Sequence, residues 1–386
     1  MKKTIPRKIS RWPYFDKEEI RGVERILSSG NVNYWTGSNG RSFEKEFASR
    51  VGTKHCIALA NGTLALEVAL RSVGVEPGDE VIVSSRSYVA SASSILMIGA
   101  VPVFADVDLN SGNISAETVA TLITEKTKAI ICVHLAGWPA DVFELRKLTD
   151  PRGIAVIEDC AQAHGAVLES RCVGSLGSVA TWSFCQDKII STGGEGGAIT
   201  TDSSEIFEFI RRFKDHGKNI DLMTPRSNEK GSFKWLHESL GSNYRLTEMQ
   251  AYIGRKQVAK LSKWIALRNR NAAIFISRLK DLEQKGILRI PHLLDERLLN
   301  GSTDIKFFES VLSSSSVKHS YYKLYIYIEV AEQKTALVRD ALLERLKALG
   351  VPTFSGSCPE IYREKVFRNA DIGPIERLPN AKRLGD

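Results

Sequence analysis

The sequence is poor in cysteine and has no long apolar run. Its 386 residues include six cysteines, Cys56, Cys132, Cys160, Cys172, Cys185 and Cys358, none of them in a CxxC pair. Their wide spacing argues against a disulfide framework and for reduced thiols. No metal-ligand spacing is present either, so no metal site is expected. No apolar stretch reaches the roughly 20 residues that span a bilayer, and no apolar signal core follows the basic start Met1-Lys2-Lys3. A cytoplasmic protein without membrane contact is expected. Net charge is +8, yet lysine and arginine are scattered, with nothing denser than pairs such as Lys2-Lys3 and Arg211-Arg212. That disfavours nucleic acid and leaves a phosphorylated small molecule as the more economical anionic partner. Internal repeats and low-complexity segments are lacking too.

What is present is the composition of an ordinary globular chain, 43% hydrophobic and 25% charged, long enough for two or three domains. From residue 54 to 202 strand and helix patterns alternate. Apolar runs near 57–60, 81–83, 103–104, 130–133, 154–157, 179–184 and 198–201 read as strands. A helix carrying Leu66, Ala69, Leu70 and Val73 on one face ends near Gly74, and another spans about 87–98. Such alternation builds a mainly parallel sheet covered by helices on both faces. Residues 217–242 read as a long irregular loop that includes 227–231, and long loops in compact domains are often functional. A long helix then starts near Thr247. Further on, Leu324, Ile326, Ile328 and Val330 alternate with Tyr325, Tyr327 and Glu329 as a half-buried strand. Val338, Leu342, Leu346 and Leu349 line one face of a helix that stops before Pro352. The division expected is a large domain over 1–255 and a small α+β domain over 256–386.

Two stretches carry chemistry. In the first, running from Trp182 to Gly197, Lys188 sits between an apolar strand end and four glycines in five positions. Those glycines let the backbone pass close to a bound group. A lysine held there, partly out of water, is a candidate nucleophile toward a carbonyl, although most loop lysines are plain solvated charges. In the second, Ile154-Ala155-Val156-Ile157 reads as a buried strand with Glu158 and Asp159 at its carboxyl end, where open α/β sheets place their ligands. A buried carboxylate needs a cationic partner or donors. Pyridoxal phosphate supplies one, because its electron-sink ring works best when an aspartate faces a protonated pyridine nitrogen. Asn61-Gly62-Thr63 opens a helix after a strand, which suits either a phosphate or a plain helix cap. Trp35 lies in a glycine-bounded loop with Tyr34, as a surface clamp, an interface patch or simple packing.

These blocks, with Gly78-Asp79-Glu80-Val81, Glu158-Asp159-Cys160-Ala161-Gln162 and Asn243-Tyr244-Arg245, resemble the DegT/DnrJ/EryC1/StrS family of sugar aminotransferases over nearly the whole chain. The resemblance implies a fold-type I, aspartate aminotransferase-like α/β architecture that uses pyridoxal 5'-phosphate. It implies catalytic roles for Lys188, which carries the cofactor and acts as general base and acid, and for Asp159, which faces the ring nitrogen. Gly62, Thr63 and Ser183 would hold the phosphate, Tyr88 would stack on the ring, and Gln162 would lie near its phenolic oxygen. Asn243 would reach the phosphate from the other subunit of a homodimer. Without the resemblance, Tyr88 reads equally as a core residue and Asn243 as a turn residue. His164 reads as packing, Glu195 as a loop charge or a group near the transferred amine, and Trp35, Tyr321 and Arg245 as sugar contacts, packing or subunit contacts.

The implied reaction is ping-pong transfer of an amino group from L-glutamate to a nucleotide-linked keto-sugar, in the biosynthesis of amino sugars or of surface polysaccharide such as O-antigen. Residues 356–362 resemble members with such substrates. Relatives that replace the lysine by histidine dehydrate sugars, and Lys188 argues against that chemistry. A desulfurase or decarboxylase on the same fold, or a cofactor- and sugar-binding regulatory protein without turnover, are the alternatives. Family members usually continue past residues 378–382 with another strand and helix, so the expectation is either that the sequence given ends early or that the small domain is shortened.

Overall fold

The computed structural model describes residues 12–223, 235–329 and 335–386. Lys2-Lys3, the 227–231 stretch and Val330 lie outside the described residues.

Helix α1, Lys17–Ser29, starts at an Asp16–Glu19 capping box, and α2, Asn39–Val51, follows. The alternating region then gives β1 (His55–Leu59), α3 (Gly62–Ser72), β2 (Glu80–Ser84), α4 (Ala90–Met97), β3 (Val101–Ala105), α5 (Ala116–Ala120), β4 (Thr127–Val133), α6 (Val142–Thr149) and β5 (Ala155–Asp159). A two-stranded excursion, β6 (Val167–Leu168) with β7 (Arg171–Cys172), precedes β8 (Val179–Ser183), β9 (Gly197–Thr201) and α7 (Ser204–Phe213). Seven strands form one sheet in the order β1-β9-β8-β5-β4-β2-β3. All neighbours pair in parallel except those of β9, which runs antiparallel to both β1 and β8. The expected mainly parallel sheet is present.

Successive strand residues face opposite sides of the sheet, and the core divides accordingly. Ile82, Ile130, Cys132 and Val156 pack with Phe43, Phe47, Leu145 and Leu261. Val81, Val83, Ile131 and Ile157 pack with Leu66, Leu70, Ile95 and Ile210. Burial on both faces is why these strands read as continuous Val/Ile runs rather than alternations.

Helix α8, Glu248–Gln284, runs 37 residues from a Thr247–Gln250 capping box. Its first half packs on α1 and α2. Its second half joins a third core of Ala273, Ile276, Ile290, Leu298, Phe308 and Leu312. That core is built with β10 (Leu288–Arg289) and α9 (Ile305–Ser313). A division at 255/256 falls inside this helix.

Two expectations in the C-terminal part need correction. The strand is only the pair Tyr327–Ile328, β11, opposite β10. Ile326 is exposed, whereas the Tyr325 and Tyr327 rings lie over Arg86. In α10, Thr335–Ala348, Val338 and Leu342 are exposed, as is Leu349 just after it. Periodicity identifies the apolar side of a helix but not what covers it. The chain then returns to the large sheet through α11 (Lys365–Arg368) and α12 (Pro379–Gly385). Ile361, Tyr362 and Phe367 enter the second core and Ala381 the first.

Candidate functional site

The carboxyl edge of the parallel strands gathers most of the candidates. β1 leads into α3, whose N-cap Asn61 accepts the Leu64 N–H at 2.9 Å. That choice leaves the Gly62 and Thr63 N–H groups at the positive end of the helix dipole. A Cβ on Gly62 would sit 2.7 Å from the Ser183 Cβ, and one on Gly197 would collide with the Asn61 carbonyl 2.4 Å away. Glycine at both positions lets the helix start, the end of β8 and the start of β9 close into one cradle. The Ser183 side chain is nearly buried there, while Thr63 is exposed.

Asp159, the last residue of β5, is buried; its carboxylate accepts the Ser91 hydroxyl at 2.8 Å and the Ala161 N–H at 3.1 Å. Ser91 is paired in turn with the Ser87 hydroxyl. Burial raises the Asp159 pKa, and Ser91, Ala161 and the Lys188 ammonium oppose the rise only in part. This is a carboxylate short of a cation.

Its neighbour Glu158 is satisfied. The Glu158 oxygens accept the N–H groups of Gly174, Leu176 and Gly177 at 2.7 to 2.8 Å, and His134 Nε2 lies at 3.0 Å. Burial works to raise the Glu158 pKa, but His134 and these N–H groups hold it below the ordinary value. His134 Nδ1 accepts the Ala140 N–H, so Nε2 carries the proton donated to Glu158. Cys160 stands close by, but His134 and Glu158 are already committed to each other and to the backbone. Gln162 Oε1 accepts the Ala136 N–H at 2.8 Å and fixes the 135–137 turn beside the site.

Lys188 lies between two groups that its local sequence does not single out. Its Nζ is 3.3 Å from Asp187 Oδ2, 3.5 Å from the Tyr322 hydroxyl and 5.1 Å from the centre of the Tyr322 ring. Tyr322 donates to Asp187. Burial tends to raise the Asp187 pKa, yet Tyr322 and Lys188 hold it below the usual carboxylate range, while burial and Asp187 push the Tyr322 hydroxyl up. The Lys188 backbone carbonyl accepts the Trp12 indole N–H at 2.8 Å.

The remaining candidates scatter. Tyr88 is 68% exposed just before α4. Asn243 is exposed, and its backbone bridges to Asp215. His164 is fully buried against Trp182 and Phe184, neither ring nitrogen has a partner among the described residues, and burial takes its pKa down to about 3. It is a packing residue. Arg245 is spent on buried Asp215. Trp35 lies edge-on to Tyr34, with Arg41 and Lys218 over its ring. The Glu195 carboxylate meets the Cys185 thiol at 3.8 Å. Tyr321 stacks on His319 inside the third core, and its neighbour Tyr322 faces the lysine. Asp187, Tyr322 and Ser91 went unread; the only sequence signal was adjacency, Asp187 to Lys188 and Tyr322 to Tyr321.

Free helix N–H groups with a serine hydroxyl suit a phosphate monoester. A buried carboxylate lacking a cation suits a protonated ring nitrogen. The donor set therefore fits pyridoxal phosphate.

A model of the DegT/DnrJ/EryC1/StrS aminotransferase family matches residues 13–386. The chain is 33% identical to a 3-amino-5-hydroxybenzoate synthase of Amycolatopsis mediterranei, over 92% of this chain and 83% of the relative. It is 37% identical to a GDP-perosamine synthase of Vibrio cholerae, over 70% of each. A solved aminotransferase from Psychrobacter cryohalolentis superposes with a TM-score of 0.88 at 45% identity, covering 98% of this chain and 92% of that one.

Proposed function

The chain belongs to the DegT/DnrJ/EryC1/StrS aminotransferase family, and from that premise we propose that it moves an amino group from L-glutamate to a nucleotide-linked keto-sugar. It is an aminotransferase, and its cofactor is pyridoxal 5'-phosphate. The acceptor class is supported by the relative named GDP-perosamine synthase, and amino-sugar or surface-polysaccharide biosynthesis is the matching setting. The six free cysteines suit a reducing compartment, so the reaction is assigned to the cytoplasm. Among the described residues no helix is long and apolar enough to cross a membrane.

The carrying observation is Lys188 Nζ held between Asp187 and Tyr322, beside a buried carboxylate short of a cation. When bound, pyridoxal phosphate supplies an electron sink for the charge that develops at the donor Cα. The Gly62 and Thr63 N–H groups and the Ser183 hydroxyl would hold the phosphate, and Asn243 of a second subunit would complete the cradle in a homodimer. Tyr88 and Gln162 would help hold the ring, and Asp159 would keep its nitrogen protonated. Lys188 Nζ would take the proton from the donor Cα and return it two atoms along, at the carbon that was the cofactor's aldehyde. Asp187 and Tyr322 hold that amine where it can reach both atoms. The N-terminal and C-terminal parts act as two domains divided within α8.

The deciding experiment is the visible absorbance of purified protein after adding pyridoxal phosphate, before and after L-glutamate. A band that is absent in Lys188→Ala and shifts with glutamate supports the reading. A wild type with no band would sink it.

A further inference from the structure

Arg86, two residues before Tyr88, is a cation that the reading above leaves without a task. It follows β2 at the carboxyl edge and is 3% exposed. Its Nε and Nη1 have no hydrogen-bond partner, and no carboxylate pairs with it, among the described residues. A buried guanidinium with unmet N–H groups is costly, and such groups are normally paired. The Tyr325 ring lies 4.9 Å from its Cζ and the Tyr327 ring 5.7 Å. Tyr325 donates to the Ser357 hydroxyl at 2.7 Å, which closes the 356–358 segment alongside. Gly112 and Gly356 border the Arg86 side chain, a Cβ on either standing in ordinary van der Waals contact with it.

This enclosure joins the candidate active site on two sides. Ser87, next in sequence, is hydrogen-bonded to Ser91, which donates to Asp159. Tyr325 lies on the segment that brings Tyr322 to Lys188. An amino acid donor carries a carboxylate next to the amine it gives up, so every turnover brings an anion close to Lys188. The side chains nearest Lys188 offer acids for this purpose rather than cations. Arg245 is spent on Asp215, and Arg268 donates to the Tyr321 carbonyl against the Trp12 ring. A planar guanidinium in a tight aromatic enclosure suits a small planar carboxylate better than a diphosphate.

We propose that Arg86 binds a carboxylate of the amino donor, an inference that rests on the aminotransferase reading above. The test uses full-length protein loaded with pyridoxal phosphate, as wild type, Arg86→Met and Arg86→Lys. Glutarate, a dicarboxylate without an amine, is titrated calorimetrically, and the L-glutamate concentration that half-saturates the absorbance change is measured alongside. Arg86→Met should load the cofactor as wild type does. Its half-saturating L-glutamate and its glutarate Kd should each rise by about tenfold or more, with Arg86→Lys in between. Propylamine, which has no carboxylate, should react equally with both proteins. Unchanged L-glutamate and glutarate values in Arg86→Met overturn the proposal. So does a loss confined to UDP-glucuronate binding, which would assign the carboxylate to the acceptor, and so does failure of the variants to load cofactor, which would mark a structural role. A wild type that loads no cofactor would overturn the functional reading itself.

Discussion

At the residue scale, adjacent carboxylates at the end of β5 have opposite standing. Glu158 is fully paired and held down; Asp159 is under-paired and pushed up. A carboxyl raised in the folded state contributes its full stability below the unfolded pKa and loses it as pH rises through the folded pKa. Cofactor-free Asp159→Asn should therefore melt higher than wild type at pH 8. The difference should close as pH falls toward the ordinary carboxylate range, read by thermal denaturation. With cofactor the same variant should lose about 100-fold or more in transamination. His164 gives the opposite sign. Burial takes its folded pKa down to about 3, below the ordinary histidine value of about 6.5, so it contributes stability that is lost as pH falls between those values. His164→Leu removes two unmet nitrogens at similar volume. It should be neutral or stabilising by about 1 kcal/mol at pH 7 and should lose less stability between pH 6.5 and 4, with cofactor loading unchanged. Lys188 and Asp159 stand out in the sequence through the family resemblance, since a local pattern of apolar strand and turn alone leaves Lys188 an ordinary loop charge. Tyr322 does not stand out, because its partners lie about 135 positions away and only the fold brings them together.

At the scale of elements, α2 begins at Ser38, whose side chain does not cap it. The cap comes from α8: the buried Glu248 carboxylate accepts the Asn39 and Gly40 N–H groups at 2.7 and 2.8 Å and the Asn39 side-chain amide at 3.0 Å. An anion there also meets the positive end of the helix dipole. Glu248→Ala should cost about 2 kcal/mol, seen as a lower urea midpoint, whereas Glu248→Gln, which keeps one acceptor, should cost less. In sequence Glu248 looks like an ordinary first-turn acid of α8. The strands of the large sheet, by contrast, matched their apolar runs to within a few residues, because burial on both faces leaves no other reading. The C-terminal strand and helix were misread in extent and burial, because a half-buried pattern names a face without naming its neighbour.

At the scale of the molecule, Asn243 and Tyr88 stand exposed, and the proposed homodimer covers the first by supplying it to the opposite site. In a dimer with shared sites, Lys188→Ala and Asn243→Ala each impair a different half of one site. Mixing them after subunit exchange should restore about a quarter of wild-type turnover, because half of the dimers are mixed and each has one intact site. Restoration to no more than the sum of the separate variants would place Asn243 within its own subunit's site or outside any site. Sedimentation should give about twice 42.8 kDa.

The sequence by itself determined the sheet and the helices around it, since each follows from local periodicity, while it singled out the lysine and the aspartate only through the family resemblance. Tertiary structure alone decided which groups hold that lysine and which glutamate caps a distant helix. It also returned the segment from Ile361 onward to the large core and left the Nε and Nη1 of buried Arg86 without a hydrogen-bond partner among the described residues. Those outcomes depend on contacts between segments far apart in the chain, where desolvation and geometry, rather than local propensity, set the energy.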